Sequence, residues 1–152
     1  MQTRREALGR SATVAGLLGV TGLFPQYALA AWNKNAFDAK TVQEALKALT
    51  ASAPVESKDV TLQAPDIAEN GAVVPMGAST ALPGVKQILI LVEKNPSPLV
   101  AAFSVTDSVD ANFSTRAKMG QSSDVYAVAL MADGRALFAK KEVKVTLGGC
   151  GG

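Results

Sequence analysis

Val85-Lys86-Gln87-Ile88-Leu89-Ile90-Leu91-Val92-Glu93 is the stretch on which the fold turns. Its uninterrupted aliphatic run from Ile88 to Val92 is short and bounded by turn residues, which fits a strand buried in a core. Outward from it the chain keeps one texture. Lys94-Asn95-Pro96-Ser97-Pro98 is a turn, and Leu99 to Val105 reads as the next strand. Phe113, Thr115, Ala117 and Met119 alternate with Ser114, Arg116 and Lys118, the period of a strand with one wet face. Asp124 to Met131 and Leu137 to Leu147 are joined through Asp133-Gly134, a hairpin signal. Toward the amino terminus, Val60-Thr61-Leu62 is a short strand. Val73 and Val74 open another that continues past Pro75 to Ala78, and because proline cannot donate to a ladder it reads as an edge strand. Thr41-Val42-Gln43-Glu44 has capping-box spacing, and Val42, Ala45, Leu46 and Leu49 recur at helical intervals, so a short amphipathic helix is expected over Val42 to Leu49. About seven strands with little helix make an all-β sandwich.

The two ends of the chain do not belong to this pattern. Arg4 and Arg5 form a twin-arginine pair ahead of a small-apolar stretch from Ala12 to Val20, and Ala28-Leu29-Ala30 supplies a small-x-small cleavage pattern. Residues 1–30 therefore read as a bacterial export signal of the twin-arginine (Tat) type, removed to leave a periplasmic protein. Ala7 departs from the pattern, standing where a bulky aromatic is usual. The apolar stretch is too short and too rich in Ala and Gly for a membrane span, which needs about 20 strongly apolar residues.

Charge follows the signal. The whole chain carries 15 basic and 13 acidic residues. Arg4, Arg5 and Arg10 against Glu6 account for the entire excess, so the remaining 122 residues are formally neutral, with twelve of each sign. Nothing in that balance favours nucleic acid. A chain of this length fits one domain, residues 31–147.

At the other end, Gly148-Gly149-Cys150-Gly151-Gly152 surrounds the only cysteine with residues that have no side chain. Glycine reaches extended and left-handed conformations at little cost. Fully extended, five residues reach on the order of 15 Å beyond a domain. Residues 148–152 thus read as a flexible arm that presents Cys150 inside another protein's cleft. A single cysteine closes no internal disulfide. An ordinary thiol ionises near about 8.5, so a partner must activate it. Cys150 is a handle on which other enzymes act.

The rest of the chain excludes much of the usual resident chemistry. With no histidine and one cysteine it lacks ligands for ordinary zinc, copper or haem sites, and no Ser-His-Asp or Cys-His system can be assembled. Asp107 with Asp110, and Asp59 with Asp66, read as solvated turn acids. No metal and no resident cofactor is expected. An exported structural module crosslinked through an intermolecular disulfide at Cys150 is the competing reading. A ubiquitin-like carrier, which uses a terminal carboxylate activated in the cytosol, is a weaker one.

These features together resemble the SoxY family, the sulfur-carrier subunits of the bacterial Sox thiosulfate-oxidising system. The likeness rests on Gly148-Gly149-Cys150-Gly151-Gly152, on Pro65-Asp66-Ile67-Ala68-Glu69-Asn70-Gly71 followed by Val73-Val74-Pro75, on Leu91-Val92-Glu93-Lys94-Asn95-Pro96 with Pro98-Leu99, and on Thr115-Arg116-Ala117-Lys118-Met119. The resemblance implies an immunoglobulin-like β-sandwich paired with a second small β-sandwich subunit, SoxZ. It implies that Cys150 carries thiosulfonate and persulfide intermediates. SoxAX, a haem c enzyme, would load the thiol and SoxB, a di-manganese hydrolase, would release sulfate, with SoxCD oxidising the remaining sulfane sulfur in some systems. The carrier would perform none of these steps. Co-export of a leaderless SoxZ would follow from Tat transport. Under the resemblance, Val73, Val74 and Met76 form a candidate edge for the SoxZ contact, although the Asn70-Gly71 turn closing onto an edge strand is the simpler reading.

Overall fold

The structure, a computed structural model, describes residues 33–50 and 52–147. The export signal (1–30) and the arm (148–152) lie outside the described residues. Two short helices, α1 (Lys34–Asp38) and α2 (Val42–Leu49), precede nine strands: β1 (Val55–Glu56), β2 (Val60–Gln63), β3 (Ile67–Asn70), β4 (Val74–Thr80), β5 (Val85–Val92), β6 (Leu99–Ser104), β7 (Asn112–Ala117), β8 (Ser123–Met131) and β9 (Ala136–Leu147).

The strands form two sheets. The larger runs β1-β9-β8-β5-β6, with β3 also pairing to β9; the smaller runs β2-β4-β7. Their facing sides enclose a core that includes Ile88, Ile90, Val92, Val125, Ala127, Val143, Val74 and Met76. This is the sandwich expected from the strand pattern.

The outer face of the larger sheet is covered as well. Leu89, Leu91, Leu99, Val128 and Leu130 pack with Ala36, Val42, Ala45 and Leu46 of the helices. The unbroken run Ile88–Val92 now has its reason. Alternate residues of a strand point to opposite faces, and here both faces are dry: all five side chains are fully buried. One face looks into the sandwich and the other looks at the helices.

Helix α2 matches its expected span. The Thr41 hydroxyl accepts from the Glu44 N–H at 3.1 Å. Glu44 reaches back one residue further than a capping box requires, accepting from the Lys40 N–H at 2.9 Å. Helix α1 was not expected; at five residues it is too short to show a period, and the Asn33 side chain caps it. Ser97 Oγ donates to the Phe37 carbonyl, which ties α1 to the β5–β6 turn. Asp133-Gly134 forms the β8–β9 hairpin as expected, with Gly134 at φ 88° and its N–H donating to Met131 O at 3.1 Å.

Strands β1 and β3 escaped the sequence pattern. Both lie parallel to β9, Val55↔Leu137 and Ala68↔Val145. Between them the chain crosses to the smaller sheet as β2. Two residues, or four of which only Ala68 is buried, give no alternation to read.

The edge reading of the Val74–Ala78 strand needs correction. β4 is the central strand of its sheet. Val74 and Met76, at 0% and 2% exposure, are sealed into this chain's own core, so a partner cannot cover them. Only Val73 is open, at 56%. The proline argument fails for a local reason. Pairing with β2 ends at Gln63↔Gly77, whereas pairing with β7 continues to Val74↔Ala117. Pro75 sits in the half of β4 that β2 does not reach, and its missing N–H costs no ladder bond there.

Tyr126 lies where the helices meet the sheet. Its hydroxyl donates to Glu93 at 3.3 Å. Partial burial, with Glu93 and Asp124 nearby, pushes its pKa up to about 12. An unfolded tyrosine ionises near about 10. The folded state therefore favours the neutral phenol, and its stabilisation is lost as pH rises from 10 towards 12. In a Tyr27→Phe protein, tyrosinate absorbance should rise near pH 12, and denaturant midpoints should fall above pH 10. A phenol titrating at 10 would contradict this environment. Leu89→Ala and Ile90→Ala should each cost about 2–5 kcal/mol in urea unfolding, one through each core. A cost under about 1 kcal/mol for either would mean that its face is not closed.

Candidate functional site

The chemistry expected of Cys150 lies outside the described residues, as do Gly148, Gly149, Gly151 and Gly152. What the structure describes is the platform from which that segment departs. Strand β9 carries the chain to Leu147, and its last residues are held from both sides. On one side β3 pairs in parallel, down to Asn70↔Leu147. On the other, pairing with β8 stops at Ser123↔Val143. There the Ser122 hydroxyl takes over, accepting from the Val145 N–H at 2.9 Å. Thr146 Oγ donates to Glu69 O at 2.9 Å, and the Lys144 N–H donates to Asp66 O at 2.9 Å.

The loops around this end are stitched to one another. Met119 N–H donates to Gly71 O at 2.7 Å. Asn95 Nδ2 donates to Lys118 O at 2.7 Å, joining the β5–β6 turn to the segment after β7. The Lys94 N–H donates to the Ser123 hydroxyl at 3.0 Å, which itself donates to Asp124 O. Ser123 is the one buried polar residue among those described, and both of its bonds serve this junction. Asn70 Oδ1 accepts from the Ala72 N–H at 2.8 Å and sets the expected β3–β4 turn.

The segments that carried the sequence resemblance therefore converge. Residues 65–75, 91–99 and 115–119 meet at the end of the sandwich where β9 finishes. No spacing rule links them in sequence. Ser122, Ser123, Asn95 and Thr146 were not singled out beforehand, since hydroxyls and amides in turns are common and their partners are backbone atoms far along the chain. Arg116 and Lys118 are exposed, as the alternation required.

The acids behave as solvated residues. Asp107 and Asp110 are exposed at the other end of the sandwich. The Ser57 hydroxyl donates to Asp59 at 2.9 Å, and Asp66 pairs with Lys141 at 2.8 Å. Among the described residues no group of His, Cys, Asp and Glu could hold a metal ion. A crevice of about 480 Å³ lies between α2 and the sheet, floored by Leu46, Tyr126 and Phe138.

The comparisons agree with this picture. The family model "Sulfur oxidation protein SoxY" matches residues 46–150, a span that takes in Cys150. The sulfur carrier protein SoxY from Chlorobium limicola f. thiosulfatophilum is 36% identical over 70% of this chain and 97% of its own, with a TM-score of 0.63. A superoxide reductase (neelaredoxin) from Ignicoccus hospitalis aligns over 57% of this chain and 79% of its own at 14% identity, with a TM-score of 0.51. That last likeness is one of fold alone. No curated protein matches the chain.

Ser122 is the test of the junction. Its replacement by alanine leaves the Val145 N–H without its partner and should cost about 1 kcal/mol locally. Hydrogen–deuterium exchange at Val145 should then quicken about fivefold, with the β5 amides unchanged. Equal protection in both proteins would mean that the hydroxyl holds nothing.

Proposed function

The chain belongs to the SoxY family of sulfur oxidation proteins, and from that premise we propose that it carries sulfur covalently on Cys150 while partner enzymes transform the cargo. One observation carries the reading: β9 is held by Ser122 on one side as far as Val145 and by β3 on the other as far as Leu147, the residue before the Gly-Gly-Cys-Gly-Gly segment. A rigid strand running into glycines is a mounting for a group that must enter several active sites.

The chemistry needs only a thiol from this chain. Coupling Cys150–SH to thiosulfate gives Cys150–S–S–SO₃⁻, one proton and two electrons, which a SoxAX-type haem enzyme would accept. Hydrolysis by a SoxB-type enzyme gives Cys150–S–S⁻, sulfate and two protons. A SoxCD-type enzyme would oxidise the remaining sulfane sulfur where the pathway includes it. Cys150 forms the new S–S bond and neither binds metal nor moves protons for these steps. The glycines leave clearance on both sides of the sulfur.

A SoxZ-type subunit is the proposed standing partner. Of the side chains first assigned to that contact only Val73 remains available, together with Ile67 on β3, exposed at 59%. The proposed site of action is the periplasm, reached through the Arg4-Arg5 signal with cleavage after Ala30. Intact-mass analysis tests that boundary.

A Cys150→Ser protein should fold normally and abolish thiosulfate oxidation in a system rebuilt from the partner enzymes. The wild-type protein should gain a mass adduct that reductant removes. Full activity in the serine protein would end the carrier reading. Activity confined to a disulfide-linked dimer would establish the crosslinked module in its place.

A further inference from the structure

The helices cover the outer face of the larger sheet unevenly. Leu89, Leu91 and Val128 are fully buried there, whereas Tyr126 and Phe138 on the same face are only half-buried. The register brings these side chains together, because Val128 pairs with Phe138 and Tyr126 with Lys140. The two rings lie 5.9 Å apart, tilted by 47°.

After α2 the chain stands off this face on its way to β1. The Thr50 hydroxyl donates to Gly134 O at 3.3 Å and accepts from the Ser52 N–H at 3.2 Å. β1 then rejoins β9 through Val55↔Leu137. Residues 52–54 form one wall, Val42, Leu46 and Lys47 of α2 form the other, and the aromatic pair lies between them; the crevice encloses about 480 Å³. An apolar lining with a few polar groups, in a space of some hundreds of Å³, is the usual make-up of a small-molecule site.

The charges along this crevice have one sign. Among the described residues that line it are Lys47 and Lys140 and no carboxylate. The Lys140 amine stands 6.0 Å from the centre of the Tyr126 ring. Two acids border this corner from outside the lining: Asp124, which Lys140 meets at 3.5 Å, and Glu93, which accepts from the Tyr126 hydroxyl. Three other hollows on the described surface differ. One of about 1020 Å³ is lined by Asp59, Asp107 and Asp110, and those of about 800 and 350 Å³ have cationic side chains but no aromatic ring.

We propose that the crevice between α2 and the sheet is a reversible binding site for a small aromatic anion, a flat ring system carrying a carboxylate or sulfonate. The ring lies against Tyr126 and Phe138, and the anionic group faces Lys47 and Lys140. Burial of the ring supplies most of the attraction. The exposed lysines add less, and salt screens what they add. Their part is to select an anion over a neutral ring of the same shape. The site owes nothing to Cys150 and stands apart from the carrier reading.

The Cys150→Ser protein is therefore the one to titrate, since it removes the reactive thiol. The probes are 2-naphthoate and its neutral counterpart 2-naphthamide, followed by backbone amide NMR. With 2-naphthoate, amides at Leu46, Lys47, Tyr126, Phe138 and Lys140 should shift and saturate. The neutral amide should bind at the same place roughly fivefold more weakly, and high salt should narrow that gap. A K47Q/K140Q protein, its remaining amides unchanged, should bind 2-naphthoate no better than the amide. Phe138→Leu should weaken both probes. Equal binding of the two probes, undiminished 2-naphthoate affinity in either variant, or shifts absent or scattered over the surface would overturn the proposal.

Discussion

Burial of β5 on both faces is the constraint on which the rest of the molecule depends. A strand with five fully buried aliphatic residues in a row cannot belong to a sheet with one wet side. It demands a second sheet across Ile88, Ile90 and Val92, and a separate cover over Leu89 and Leu91. The small β2-β4-β7 sheet meets the first demand. Helices α1 and α2 meet the second, and they stay in place because Thr41 and Asn33 cap them and Ser97 ties α1 to the turn that follows β5. The layers follow from one strand, and the placement of β8 and β9 beside it follows from the hairpin at Asp133-Gly134.

Strand β9 converts that rigidity into a position. Its amino-terminal half is paired with β8 and touched by β1; its carboxyl-terminal half exchanges β8 for the Ser122 hydroxyl and gains β3. Each handover keeps the backbone groups satisfied, as a strand near the end of its sheet requires. The result is a strand held as far as Leu147, the register partner of Asn70.

Much of this could be read from the residues, and the failures have local causes. The β5 run, the Phe113–Met119 alternation and the Asp133-Gly134 turn were legible because each is a local pattern with a physical period. The second cover on β5 was harder to see: a continuous apolar run says that both faces are dry without saying what dries them. Val55-Glu56 and Ile67–Asn70 were invisible as strands, since their partner β9 lies some seventy or more residues away and their own side chains are mostly exposed. Pro75 misled because edge and centre are properties of a position and not of a whole strand. β4 is central where Gly77 to Thr80 face β2, and an edge at Pro75.

The end of the sandwich where β9 finishes shows the same division. The glycines and the thiol stand out in the sequence, but they lie outside the described residues. The platform on which β9 ends does not stand out, because it is made of side chains that bond backbone atoms of distant segments: Asn95 to Lys118, Thr146 to Glu69, Ser122 to Val145. Such bonds leave no spacing in sequence, yet they explain why three separate stretches carry the family likeness. Each contributes a strand end or turn to one junction. A turn residue there is constrained by what it must hold, while an equally exposed residue at the opposite end, such as Asp107, has only solvent to satisfy. The three stretches meet at this end because their turns and strand ends bond to one another there.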